Sequence, residues 1–421
     1  MATWRRLARW VAAAELPYVV MIAPALLLPT PRRLVVLAGM PIIWLAARYT
    51  GRGWVAGTPF NGAIWLMLGM VGVSLYATPD VLFSLGKVAG TILGMLVFWA
   101  LCRWMVTRHR LRLGTLGFAA AGGILAVAGL VGVDLPHKFP VLGALSDSIP
   151  RLISGVPGAE SGFNPNGVAG GLVLLIPVQV AGLLSAWPRL ERPHVLVQSL
   201  LLLLTSAGIL LMQSRTAWLG LFGGMLVLML SHQRLRQSRT VLALAAVLVV
   251  IAGAGIARIA DAPPDQPLNA AVSVAQRVEL WSKGIDAIRD SPVTGTGMNM
   301  FRRLLPLRYP TFLMTSDYDA AHAHNHLLQV ALDIGLPGLI SYIALWLIAG
   351  WLLLQVMRHA LDPEHRTQAA GLAGGLTAYF IFGLADTIAL GAKVGILFWI
   401  ALALVAAVHR VALPRHRSAW P

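Results

Sequence analysis

Charge is what this sequence has least of. Only 12% of its 421 residues are Asp, Glu, Lys or Arg, about half the share in ordinary soluble domains. So little charge cannot cover a soluble globule of this size, which argues against a cytosolic enzyme, a disordered chain and a nucleic-acid-binding module. Acidic residues are scarcer still: 17 against 33 Lys and Arg, for a formal net charge of +16. In a membrane protein such an excess reads first as the positive-inside bias. Cysteine is nearly absent. Cys102 is the only one, so no intramolecular disulfide can form. No internal repeat, low-complexity tail or soluble terminal domain stands out. The residues after MATWRRLARW show no small-residue cleavage site, so the first apolar stretch reads as a retained helix.

What the chain has in abundance is apolar surface: 57% hydrophobic residues and a mean hydropathy of +0.73. The runs are continuous and near the roughly 20 residues that a spanning helix needs, whereas barrel strands alternate over about 10 residues. The expectation is an all-α polytopic membrane protein with about twelve transmembrane helices. They fall near residues 11–29, 33–47, 61–77, 83–101, 114–133, 167–187, 194–212, 216–231, 240–257, 327–356, 368–388 and 393–411. Three parts follow: 1–257 with spans one to nine, a loop domain at 258–326, and 327–421 with spans ten to twelve and a cytoplasmic tail. Both termini are expected in the cytoplasm, because that choice puts most short-loop arginines, such as Arg48, Arg52, Arg108, Arg110 and Arg112, on the inner side. Two non-cytoplasmic segments, 134–166 and 258–326, are too long to be simple connectors. Within the second, 272–290 reads as an amphipathic helix with Val274, Val278, Trp281, Ile285 and Ile288 on one face. Such a helix is expected to lie on the membrane surface or to roof a cavity.

The segment AHAHNHLLQVALDIGLPG (321–338) concentrates chemistry at the edge of a span. Ionisable groups at a membrane boundary are costly and tend to mark function. His322, His324 and His326 could bind a transition metal if the segment is extended, since imidazole suits such ions. Alternatively one imidazole serves as general base toward a hydroxyl, with Asn325 orienting it or the substrate. Arg215, in QSRTAW (213–218), carries a permanent charge and a fork that fits phosphate; it also reads as an arginine that simply stops a span. Arg277, Arg289, Arg302, Arg303 and Arg308 could add to an anion site, but seven acidic residues share their loop and cancel its formal charge. Lys87 lies mid-span and needs a partner, for which Asp386 is the candidate. Asp317-Tyr318-Asp319 resembles the paired acids of metal-dependent transferases, and GTG (295–297) could present backbone amides to an anion or be only a turn.

These residues carry a resemblance. His324-Asn325, nine residues, Gly335, two residues and Gly338 match a pattern of the O-antigen ligases and of the wider group of O-antigen polymerases and protein O-oligosaccharyltransferases. The segment around Arg215 resembles that group's arginine block. QRVELWSKGIDAIRDSPVTGTGMNMF (276–301) resembles the block before its histidine, and NPNG around Asn166 resembles another recurrent element. The resemblance implies a GT-C-type glycosyltransferase of the bacterial inner membrane, active on the periplasmic side. Its donor would be a glycan on undecaprenyl pyrophosphate, and its acceptor, for a ligase, a sugar hydroxyl of lipid A-core. No metal, nucleotide or other cofactor is implied, and the transfer would invert the anomeric centre. His324 becomes the catalytic histidine and Arg215 a pyrophosphate-binding arginine. Arg277, Arg289, Asn325 and Asn166 become further candidates for substrate binding. A polymerase or a protein O-oligosaccharyltransferase is the nearest alternative. A polytopic transporter or flippase is the more distant one, since it leaves the histidine–glycine pattern unexplained.

Overall fold

The computed structural model describes residues 2–153, 155, 162–186, 192–232, 237, 270–314 and 321–413. Among them every extended element is helical and no strand occurs, as the continuous apolar runs require. The helices are α1 (Ala2–Ala13), α2 (Glu15–Leu27), α3 (Gly39–Tyr49), α4 (Asn61–Ala77), α5 (Val81–Trp104), α6 (Arg108–Gly132), α7 (Pro140–Asp147) and α8 (Pro165–Ala186). They continue with α9 (Arg192–Leu211), α10 (Arg215–Ser231), α11 (Ala270–Asp290), α12 (Phe301–Arg308), α13 (His326–His359), α14 (Pro363–Ala385) and α15 (Ile396–Ala412).

Six helices among the described residues are long and apolar enough to cross a membrane: α5, α6, α8, α13, α14 and the segment Lys393–Ala412. The pair α1 and α2, bent by 47°, makes a seventh if it is one broken span. Asn61–Ala77, Val195–Leu211 and Arg215–Ser231 are apolar but shorter. The expected second span is not a continuous helix: Arg33–Ala38 is a 3₁₀ turn and α3 has only 11 residues, about half a bilayer's hydrocarbon thickness at 1.5 Å each. The expected ninth span at 240–257, the Asp317–Asp319 pair and the tail from 414 lie outside the described residues.

Glycine decides how closely the central helices pack. In lipid no hydrophobic force drives helices together, so small residues that let backbones approach become the adhesive. A Cβ on Gly220 or Gly224 of α10 would collide with carbonyls of Ala378 or Gly374 in α14. On the other flank, Gly371 and Gly375 of α14 face carbonyls of Pro177 and Leu174 in α8. This antiparallel sandwich brings the first residue of α10, Arg215, to the same end as Asp386, which follows α14. The other end carries its own ion pairs. Arg112 grips Glu364 with two bonds of 2.8 Å, and Arg103 meets Glu15 at 2.6 Å.

The stretch from α11 to Ala323 has a small core of its own, formed by Leu280, Ala287, Phe301, Leu305, Tyr309 and Met314 together with Leu332 of α13. Beside the expected apolar face, α11 buries a second one. Leu280, Gly284 and Ala287 point inward, while Val274, Val278 and Ile285 are 51%, 53% and 45% exposed. The reason is size. Gly284 lets the helix sit against Leu328 of α13, where a Cβ would come within 2.9 Å of its side chain. A pattern read from bulky residues alone finds the expected face and not this one.

Candidate active site

The site is organised by a break in α13. Ile334 and Gly335 leave helical geometry, Gly335 with φ 72° and ψ 177°, a region that only glycine occupies readily. A Cβ there would collide with the carbonyl of Val293. The loop 291–299 docks into the break: the Leu336 amide donates to Pro292 O at 2.8 Å and the Thr296 amide to Leu332 O at 2.7 Å. GTG is therefore a docking turn whose backbone meets another helix, with Gly295 at φ 67° against Leu332. Ser74 Oγ donates to Asp333 O at 2.7 Å and accepts the Met298 amide at 2.9 Å. Gly338 is needed for space, because a Cβ would collide with the Ile334 side chain.

From this break a chain of hydrogen bonds leads to the histidines. Asp333 Oδ1 accepts from the Asn299 amide (3.1 Å) and from Gln329 Nε2 (2.9 Å). Gln329 Oε1 accepts the Ala323 amide at 2.8 Å, and Ala323 O accepts from Trp281 Nε1 of α11 at 3.0 Å. Asn325 then caps α13: its Oδ1 accepts the amides of Leu327 (3.0 Å) and Leu328 (3.1 Å), and its Nδ2 donates to Leu384 O at 3.1 Å. Both ends of that amide bond to the protein, so Asn325 shapes the site by holding the start of α13 to the end of α14.

Between these anchors His324 adopts φ 49° and turns its ring toward the end of α14. Its Nδ1 lies 3.1 Å from Asp386 Oδ1. Asp386 is 1% exposed, also accepts the Thr387 amide at 2.8 Å, and leaves Oδ2 without a partner among the described residues. Burial pushes its carboxyl up, but the His324 hydrogen bond and the imidazoles beside it outweigh burial and hold it below its ordinary value. An ionised carboxylate at Nδ1 keeps the proton on that nitrogen and the lone pair on Nε2. His322 approaches the same oxygen, with Nε2 at 3.9 Å and its ring 4.4 Å from that of His324. His326 does not join them. It is buried, bonded to Tyr342 OH at 3.0 Å, and surrounded by Tyr342, Trp346 and Phe380. The three histidines thus do not form one metal-facing set. Nor does Asp386 pair with Lys87 as expected: it is taken by His324, and the carboxylate acting on Lys87 is that of Asp333.

The cations come from three segments. Arg215 is exposed at the start of α10. Before it, Gln213 at φ 48° accepts the Phe139 amide at 2.9 Å and donates to Pro136 O, while Lys138 Nζ donates to Gln213 O at 3.3 Å. Phe139 stacks on Trp218 of α10 with centroids 5.1 Å apart. The 134–139 stretch is thereby laid beside Arg215. Burial pushes the Lys138 ammonium down, as does Arg215, with Asp386 opposing and Arg277 adding to the effect. Lys138 therefore stands in the field of Arg215, Arg277 and Asp386 at once. Arg277 also acts on His322. Of the two loop arginines that the resemblance made binding candidates, Arg277 acts on Lys138 and His322, and Arg289 is drawn elsewhere. Arg289 lies at the far end of α11, three-quarters exposed, 3.5 Å from Asp286. Arg303 pairs with Asp80 and covers the Phe83 ring at 3.8 Å. Asn166 is half-buried in the first turn of α8, behind Asn164, whose side chain accepts the Gly167 amide at 3.0 Å. Lys138 was not singled out from sequence; its one signal was to be the only lysine in 134–166.

Residues 200–343 match a protein-family model described as O-antigen ligase. The match takes in Arg215, Arg277, His324, Gly335 and Gly338, and it supports the family resemblance read from those segments. Lys138 and Asp386 lie outside the matched residues. No curated protein matches the chain.

Proposed function

We propose that this protein is an O-antigen ligase: a GT-C-type, inverting glycosyltransferase on the periplasmic side of the bacterial inner membrane. It moves a glycan from undecaprenyl pyrophosphate to a sugar hydroxyl of lipid A-core. The observation that carries the reading is the bond of His324 to Asp386 at the end of the bundle where Lys138 donates to Gln213 O, two residues before Arg215, with Arg277 acting on Lys138 and His322. A proton acceptor and three cations thus share one neighbourhood, the arrangement a diphosphate leaving group requires.

In the reaction the acceptor oxygen attacks the anomeric carbon from the face opposite the pyrophosphate. The bond from that carbon to the phosphate oxygen breaks, and its electron pair leaves on the lipid diphosphate. The hydroxyl proton passes to His324 Nε2, with Asp386 stabilising the imidazolium at Nδ1. Lys138 holds the donor diphosphate in the ground and transition states alike, and Arg215 and Arg277 stabilise the charge that grows on the leaving group, acting as a preorganised electrostatic site. Guanidinium and ammonium groups meet that need, so the step requires no metal. The aliphatic face of α11, exposed at Val274, Val278 and Ile285, suits contact with the membrane from which both lipid substrates arrive.

The test is transfer by purified full-length protein from an undecaprenyl-pyrophosphate glycan to lipid A-core with chelator present. Glycosylated lipid A-core is the expected product. A longer lipid-linked glycan made without lipid A-core would replace the ligase by a polymerase. Transfer to a protein hydroxyl would indicate an O-oligosaccharyltransferase. Movement of the lipid between leaflets with no new glycosidic bond would indicate a flippase.

A further inference from the structure

His322 has no part in the reaction above, and the family pattern begins two residues after it. Its placement is nonetheless specific. His322 Nε2 and His324 Nδ1 approach one oxygen of Asp386 at 3.9 and 3.1 Å. One ligating atom from each of the three residues lies within 4.8 Å of the other two. The remaining carboxylate oxygen, Asp386 Oδ2, is buried with no partner among the described residues, and a buried polar atom left so calls for an explanation.

We propose that His322, His324 and Asp386 form an inhibitory site for a divalent transition-metal ion, for which zinc is the natural probe. Two imidazoles and a carboxylate are a donor set such ions favour. Bonds of roughly 2.0–2.2 Å hold neighbouring ligands about 3 Å apart, so the three groups need to close by only about an ångström or two. The 3.4 Å approach of the His324 amide to His322 Nδ1 is long for a hydrogen bond and is given up as the ring turns to the ion. Three protein ligands leave a position for water. A bound ion takes Asp386 away from His324 and fixes the His324 ring, so transfer stops. This consequence rests on the reading of His324 as proton acceptor; the binding does not.

The experiment titrates metal-stripped, full-length protein in detergent with Co²⁺, following its visible absorption, then displaces it with zinc. The expected result is one saturable equivalent with the intense bands of a low-coordinate site. In His322→Asn those bands are lost and binding weakens by about 100-fold. His322→Gln, checked for monodisperse elution, serves if the first variant does not fold. In the transfer assay zinc silences the wild type, excess chelator restores it, and His322→Asn keeps its full rate with zinc present. The absence of saturable Co²⁺ bands, or identical bands in both variants, overturns the metal site. Bands that depend on His322, with no transfer by any form under chelation, uphold the metal site and remove the ligase reading alone.

Discussion

His324 occupies a backbone position, φ 49°, that side chains other than glycine seldom adopt. Such positions cost of order 1–3 kcal/mol and persist only where the surroundings fix them. Here the fixing groups are Gln329 and Trp281 on the preceding residue, Asn325 on the following one, and Asp386 on the ring. If His324 accepts the proton and Lys138 holds the donor, their losses read differently. His324→Ala lowers kcat by roughly 10²–10⁴-fold with little change in donor KM. Lys138→Ala raises donor KM about tenfold with a smaller effect on kcat. Steady-state transfer rates at varied donor concentration separate the two, and equal effects on both parameters in both variants would contradict the assignment. Sequence spacing singled out His324 and Arg215 as candidates, because a histidine–glycine pattern and an arginine at a span edge are local signals. It found Asp386 as an unusual acid but matched it to Lys87, since hydropathy counts charges in spans without knowing which helix ends meet. Lys138 gave no spacing signal at all, because its partners lie 75 to 248 positions onward in the sequence.

At the scale of elements, α13 is two helices joined at Gly335, and the break lets the 291–299 loop enter. Gly335→Ala forces a Cβ onto the Val293 carbonyl in a backbone region closed to alanine, so it costs about 1–3 kcal/mol or more. Asn325→Ala removes a helix cap and costs about 1 kcal/mol. Gly350→Ala, in the same helix with nothing within 4 Å of its Cβ, is neutral or stabilising by up to about 1 kcal/mol. Thermal unfolding in detergent orders the three; a Gly350 variant as unstable as the Gly335 variant would show that the break does not matter. The glycines of the 335–338 pattern were legible in the sequence as positions, but their purpose, admitting a loop and relieving a neighbour, needed the fold. The second, buried face of α11 did not show in the sequence for a related reason. Gly284 and Ala287 carry too little apolar weight to show in a periodicity of bulky residues, yet their smallness is what permits the contact.

The whole molecule gathers Lys138, Arg215, Arg277, His324 and Asp386 from five separate segments to one end of the helix bundle. The all-helical, membrane-embedded architecture was legible because continuous apolar runs leave little choice of structure. Of the about twelve spans expected, the described residues hold six helices long and apolar enough to cross a membrane, or seven with the bent α1–α2 pair, and three shorter apolar ones. Hydropathy alone cannot tell a short apolar helix packed inside a bundle from one that crosses a bilayer. Nor can it tell that the 134–139 stretch carrying Lys138 packs against the start of α10. The central claim is that the imidazole of His324 and the cations of Arg215, Lys138 and Arg277 serve one lipid diphosphate. The most direct test is an experimental structure of the full-length protein with an undecaprenyl-pyrophosphate glycan bound. The account predicts diphosphate density in contact with Arg215 and Lys138, and the first sugar directed at His324. Density for the diphosphate that touches none of these side chains would contradict it.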